Sequence, residues 1–342
     1  MKNQKTKLLA LMLVLLMYNC KDKDEAFPEK PSTTITDAMA KVNVAPITVD
    51  APAIVAVTEA SIVPSATYNE LLTSVHEIAT GGAVKSSVTA ADAAMTSGLS
   101  AAEISTLDAV SPEVITAAFQ TGVVPADLKA ILTKAKANTE IAAYMAKFVF
   151  PTVSGVEVKG LRIGSTVGAD KAARVAVSDA CIVASEAAFQ TVKLRLDASK
   201  TTETAKVNAA YDTWIAVIAP AQAACSSTVT PTYSAYRTAA QTQALAFLAD
   251  VELSKTALAN LYPQIKALVN LSLLDYLSSV FALEAAAKNK CLVYSAAVTT
   301  AAKNAQTANL AKVDVNYKAA LAEATKLKQD AIESCHNQGG GN

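Results

Sequence analysis

Histidine is scarce in this chain of 342 residues, which has only His76 and His336. No C-x-x-C pair occurs either, so a zinc site lacks ligands at usable spacing. A Ser–His–Asp or Cys–His centre would have to recruit one of those two histidines, and neither sits in a supporting pattern. G-x-S-x-G, H-E-x-x-H and G-x-G-x-x-G are all missing, and Gly164 to Lys171 lacks the ending and spacer of a phosphate loop. No run of Lys or Arg interleaved with aromatics appears, which argues against nucleic acid as a partner. Aromatics are only 5% of a chain that is 52% hydrophobic. Much of the apolar fraction is alanine, the best helix former. That balance predicts closely packed helices rather than a barrel or sandwich.

The informative part of the N-terminus is its order of charges. Lys2, Lys5 and Lys7 precede an uncharged apolar run from Leu8 to Met17. That run is about ten residues, short for a bilayer about 30 Å thick but suited to an export segment. Met17-Tyr18-Asn19-Cys20 follows, and it resembles the lipobox of bacterial lipoproteins. The resemblance implies a diacylglyceryl thioether on Cys20, cleavage before it, and acylation of the new amino group. Lys23-Asp24-Glu25, just after the cysteine, is similar to the export signal of surface lipoproteins of the Bacteroidetes type. Together these imply a lipid-anchored protein of the cell envelope, on the outer membrane and facing outward. The resemblance covers about twenty-five residues. The full chain has 30 basic and 30 acidic residues, and without the three leading lysines 27 basic face 30 acidic.

Four further cysteines, Cys181, Cys225, Cys291 and Cys335, read as a disulfide set in an exported chain, with three possible connectivities. The spacing is 44 from Cys181 to Cys225 and again 44 from Cys291 to Cys335. A helical hairpin of that length brings its two ends together, which predicts Cys181–Cys225 and Cys291–Cys335, each clamping one hairpin. Lys206 to Tyr211 also resembles Lys312 to Tyr317, as a weak internal repeat would.

Along the chain, residues 1–19 read as signal peptide and 20–36 as lipidated cysteine and flexible tether. Residues 37–164 read as short helices and extended segments, 165–336 as a long-helix bundle, and 337–342 as a disordered Gly-rich tail. Pro46, Pro52 and Pro64 exclude a long helix early on. Thr89 with Asp92, the capping box Ser100 with Glu103, and Ser111-Pro112 mark helix starts. A hairpin is expected between Phe150 and Gly164. Ile182, Phe189, Val192 and Leu196 form one helical stripe and Val207, Tyr211, Trp214 and Ile218 the next. Leu310 to Ala331 steps 3, 4, 3, 4 as a coiled-coil seam. Ile265 to Leu283 is apolar nearly all round, as in a central buried helix.

The expected fold is therefore mainly α, an alanine-rich antiparallel helical bundle with two disulfide-clamped hairpins. The expected role is non-enzymatic binding or scaffolding at a membrane, held by a lipid anchor, toward an unknown protein or glycan, with no cofactor or metal. One alternative is an accessory glycan-binding or adhesion subunit, for which Trp214, Tyr233, Tyr236 and Arg237 offer candidate platforms. A second is an envelope enzyme with an unrecognised carboxylate site, although helical carboxylate pairs such as Glu103 with Asp108 are commonplace as solvated faces.

Overall fold

The computed structural model describes residues 30–158 and 180–336. Cys20, Lys23, Asp24 and Glu25, the glycine loop near Gly164 and the Gly-rich tail lie outside the described residues. Chain order is α1 (Thr33–Lys41), β1 (Val57–Thr58), β2 (Ser61–Val63), α2 (Ala66–Ala79), α3 (Ser86–Gly98), α4 (Ala101–Asp108), α5 (Pro112–Thr121), α6 (Ala126–Ala137) and α7 (Thr139–Ala142). There follow β3 (Lys147–Val149), β4 (Thr152–Val153), β5 (Val156–Glu157), α8 (Ala180–Ala216), α9 (Ile218–Leu253), α10 (Lys255–Leu258), a 3-10 turn and α11 (Tyr262–His336). The fold is mainly α, a helical bundle with a few short strands. The tether expected through residue 36 yields to helix at Thr33. The two stripes expected to be separate helices lie on one helix, α8, as far as Trp214.

Two compact units interleave in sequence. Among the described residues, one is built from 30–51, 180–212 and 304–336, and the other from 52–158 and 213–303. The sequence change near residue 164 separates short helices from long ones, whereas the units each draw on both kinds.

In the first unit, Phe189, Val192 and Leu196 of α8 pack against Ala320, Ala324 and Ala331 of α11, with Met39 of α1. The seam expected over Leu310 to Ala331 is thus in contact, with alanines letting the backbones approach. Residues 42–51 form neither helix nor strand. Arg195 Nη2 donates to Val42 O at 2.6 Å, and Ile47 N donates to Glu203 Oε2 at 3.3 Å. Asn309, fully buried, accepts from Asp50 N at 3.0 Å and donates to Asp50 O at 2.9 Å. One side-chain amide thereby replaces a neighbouring strand, satisfying both backbone groups of a segment whose prolines discourage a sheet.

In the second unit, α2–α7 wrap the apolar stretch of α11. Leu268, Leu271, Leu274 and Leu277 are fully buried among Leu71, Val75, Met95 and Leu107. By length and composition this stretch of α11 could cross a membrane, but most of it is buried inside the fold. The capping box at Ser100 forms as expected: Glu103 N donates to Ser100 Oγ and Ser100 N to Glu103 Oε2. Ser111 and Pro112 also open α5 as expected. Thr89 is not a cap. Helix α3 starts at Ser86, a turn earlier, which carries Val88 and Ala91 into the core. The expected hairpin is β4–β5, turning at Ser154 and Gly155, both at positive φ. Strand β4 also pairs with β1, and β2 pairs antiparallel with β3.

Gly122 ends α5 at φ +70°, and a Cβ there would lie 2.5 Å from Phe281 Cγ. Backbone strain and overpacking add, so Gly122→Ala is expected to destabilise the second unit by about 2–4 kcal/mol. Urea denaturation measures this, and an unchanged midpoint would mean the α5–α11 contact is looser than described.

The disulfide pairing differs from the expectation. Cys181 joins Cys335 (Cα–Cα 6.1 Å) and Cys225 joins Cys291 (5.8 Å). The predicted hairpins do not exist, because α11 runs unbroken through both Cys291 and Cys335. Forty-four residues of helix extend about 66 Å, far beyond disulfide reach. Likewise α8 carries the chain away from Cys181 without turning back, and Val217, between α8 and α9, is itself in the right-handed helical region. Each bond joins two antiparallel helices within its own unit, Cys181–Cys335 between α8 and α11 and Cys225–Cys291 between α9 and α11. No duplication is needed to explain them.

Candidate functional site

A cavity with a volume of about 340 Å³ lies in the second unit. Its position follows from one serine. Ser65 caps α2 by accepting from Tyr68 N at 3.0 Å, and its hydroxyl donates to Ala143 O at 2.5 Å. That pair of bonds ties the first turn of α2 to the chain just before Tyr144. Tyr68 and Tyr144 therefore come to one wall, with Asn69 beside them. Helix α9 supplies Tyr236, Ala239, Ala240, Gln243 and Ala244; α11 supplies Ser272, Leu273 and Tyr276. Ile62 of β2 and Pro64 close one end.

Three further ring contacts fix the tyrosines. Tyr68 meets Phe247 edge-on at 5.7 Å, Tyr276 meets Phe148 at 5.6 Å, and Tyr236 meets Tyr233 at 5.7 Å. Their hydroxyls are different. Among the described residues, none of the four lining tyrosines has a hydrogen-bond partner for its hydroxyl. Burial pushes the Tyr68 phenol far above its ordinary value. It also raises Tyr144, with help from Glu70, and Tyr276, with help from Tyr236. All three stay neutral at neutral pH. The Ser272 hydroxyl in the wall is buried and likewise unpartnered. Among the described residues, no Asp, Glu, Lys, Arg or His lines the cavity.

The residues singled out from sequence are distributed as follows. Tyr236 is exposed and lines the cavity, Tyr233 is buried in a neighbouring core, and Trp214 is half-buried outside the cavity. Arg237 does not face a ligand space. It is buried, donates to Glu284 at 2.6 Å, and lies 4.0 Å from the Phe281 ring centre. Glu103 and Asp108 do not form a carboxylate pair. Glu103 is held by Lys134 and by its own cap, which lower it to about 2. Asp108 lies 3.7 Å from Lys266. His76 pairs with Asp250 at 3.0 Å on an exposed face. Among the described residues, no group of three or more His, Cys, Asp or Glu could hold a metal ion.

Sequence reasoning missed Tyr68, Tyr144 and Tyr276. A faint signal was present. The chain has 10 Tyr against 7 Phe and 1 Trp, so its scarce aromatic positions mostly carry a hydroxyl, which a purely apolar core does not need.

No protein-family model matches the chain, and no curated protein or solved structure matches it either. The geometry of the cavity therefore stands by itself.

Proposed function

We propose that this is an exported, lipid-anchored envelope protein, facing outward from the outer membrane, whose second unit binds a small uncharged molecule in the tyrosine-lined cavity. The observation that carries the binding role is that four tyrosines line one cavity and that, among the described residues, none of their hydroxyls has a hydrogen-bond partner. A ligand that bonds several of them takes the place of water there, and the cavity is within the size range of small-molecule sites. With tyrosine as the only ionisable lining among the described residues, the site offers contact and hydrogen bonding rather than acid–base chemistry.

The anchoring role rests on the charges before Leu8, the short apolar run and Cys20 within Met17 to Glu25. Two or three acyl chains give stable attachment where one does not. Four cysteines in two disulfides accord with an oxidising compartment. Fractionation of the native envelope tests this. The wild type is expected in the membrane fraction and Cys20→Ser in the soluble extracytoplasmic fraction. Equal membrane association of the two would refute lipid anchoring through Cys20.

A further inference from the structure

Resting on the reading of the cavity as a binding site, we propose that its ligand is a neutral saccharide of one or two rings. One sugar face would lie on tyrosine rings and the hydroxyl edges would meet tyrosine hydroxyls and amide side chains.

Three properties of the lining select this class. First, among the described residues it carries no formal charge. Moving a phosphate, carboxylate or ammonium group into such a space without a counter-charge is strongly disfavoured, so an ionic ligand does not fit. Second, it is too polar for a hydrocarbon. An alkyl chain would leave the Tyr68, Tyr144, Tyr236 and Tyr276 hydroxyls unpaired, each at a cost of about 1–3 kcal/mol. A phenol hydroxyl both donates and accepts, and the Asn69 and Gln243 amides do the same, which matches a ligand with hydroxyls on several sides. Third, the remaining surface is apolar: tyrosine rings share the lining with the short side chains of Ala239, Ala240 and Ala244. Ring faces beside short side chains suit the C–H face of a sugar ring.

Size and access agree. The volume of about 340 Å³ is at the small end of ligand pockets, which span roughly 300–1,000 Å³. Asn69, Tyr236, Ala239 and Gln243 are exposed and mark the mouth, whereas Tyr144 and Leu273 are buried and form the floor. The hydrogen-bonding amides thus stand at the mouth, and deep phenols wait inside.

Calorimetric titration tests the proposal. The probes are glucose, galactose, N-acetylglucosamine, maltose and cellobiose, with glucuronate and glucosamine as charged counterparts and phenol as a non-sugar. At least one neutral sugar is expected to bind the wild type. That binding should vanish in Ala239→Trp, which blocks the mouth from an exposed position, and weaken about tenfold in Gln243→Ala. The charged counterparts should bind at least about tenfold more weakly. Binding of phenol that Ala239→Trp abolishes, with no neutral sugar bound, would overturn the saccharide assignment and leave the cavity reading standing. Sugar binding unaffected by Ala239→Trp and Gln243→Ala, or no binding by any probe, would overturn both. Should Ala239→Trp misfold by circular dichroism, Gln243→Ala and Asn69→Ala, both exposed, decide the same question.

Discussion

Replacing Arg237 with alanine is expected to destabilise the second unit by about 3 kcal/mol, near the lower end of the cost of breaking a buried ion pair, because Lys288 still holds Glu284. Arg237 and Glu284 have side chains only 9% and 7% exposed, and their contact is 2.6 Å. Glu284 also accepts from Lys288 at 2.7 Å and Thr230 at 3.0 Å. Burial alone would raise the Glu284 carboxyl, but Lys288, Arg237 and Thr230 outweigh it and hold it below its ordinary value. A carboxylate so lowered contributes stability that is fully present above its unfolded pKa and is lost as pH falls through the folded one. The gap between wild type and Arg237→Ala should therefore narrow on acidification below about pH 4. Removing both charges, Arg237→Met with Glu284→Leu, should recover most of the loss, because no uncompensated ion remains. Urea midpoints of the three proteins across pH measure all of this. A single variant as stable as the wild type would show that the pair is solvated after all.

Removing the Cys181–Cys335 disulfide by the double change Cys181→Ala and Cys335→Ala is expected to cost about 3–5 kcal/mol, since the bond closes a long loop in the unfolded chain. The separation is 154 residues, against 66 for Cys225–Cys291. Loop-closure entropy grows only slowly with length, so the second double variant should lose nearly as much. The pairing itself is checked by peptide mapping without reduction. Cross-linked peptides should join Cys181 to Cys335 and Cys225 to Cys291, and a Cys181–Cys225 peptide would contradict the antiparallel packing of α8 against α11.

Local structure was legible in the sequence wherever one short stretch decides it. Ser100 with Glu103 caps a helix by contacts within a single turn, Pro112 at the first helical position sets the start of α5, and Ile265 to Leu283 buries itself because it is apolar nearly all round. Partner choice was not legible. Periodicity identifies which face of a helix is buried but not which helix covers it, so the 44-residue spacing fitted two hairpins as well as the two bonds that form. The cavity shows the same limit. Tyr236 stood out from sequence, but Tyr68, Tyr144 and Tyr276 reach it from separate elements through long-range folding. Ser65 could be read as a helix cap, while its second bond to Ala143, which aligns that wall, is a tertiary contact. Asn309 likewise gives no sign in the sequence that it stands in for a strand beside Asp50.

The claim that matters most is that ligand sits among these phenols. Tyrosine-ring NMR of protein labelled at its 10 tyrosines, titrated with the neutral sugars and with phenol, locates binding directly. The account expects the ring signals of Tyr68, Tyr144, Tyr236 and Tyr276 to move together while those of Tyr211 and Tyr317, in the first unit, stay still. Movement confined to Tyr211 and Tyr317, or no movement at all, would contradict it.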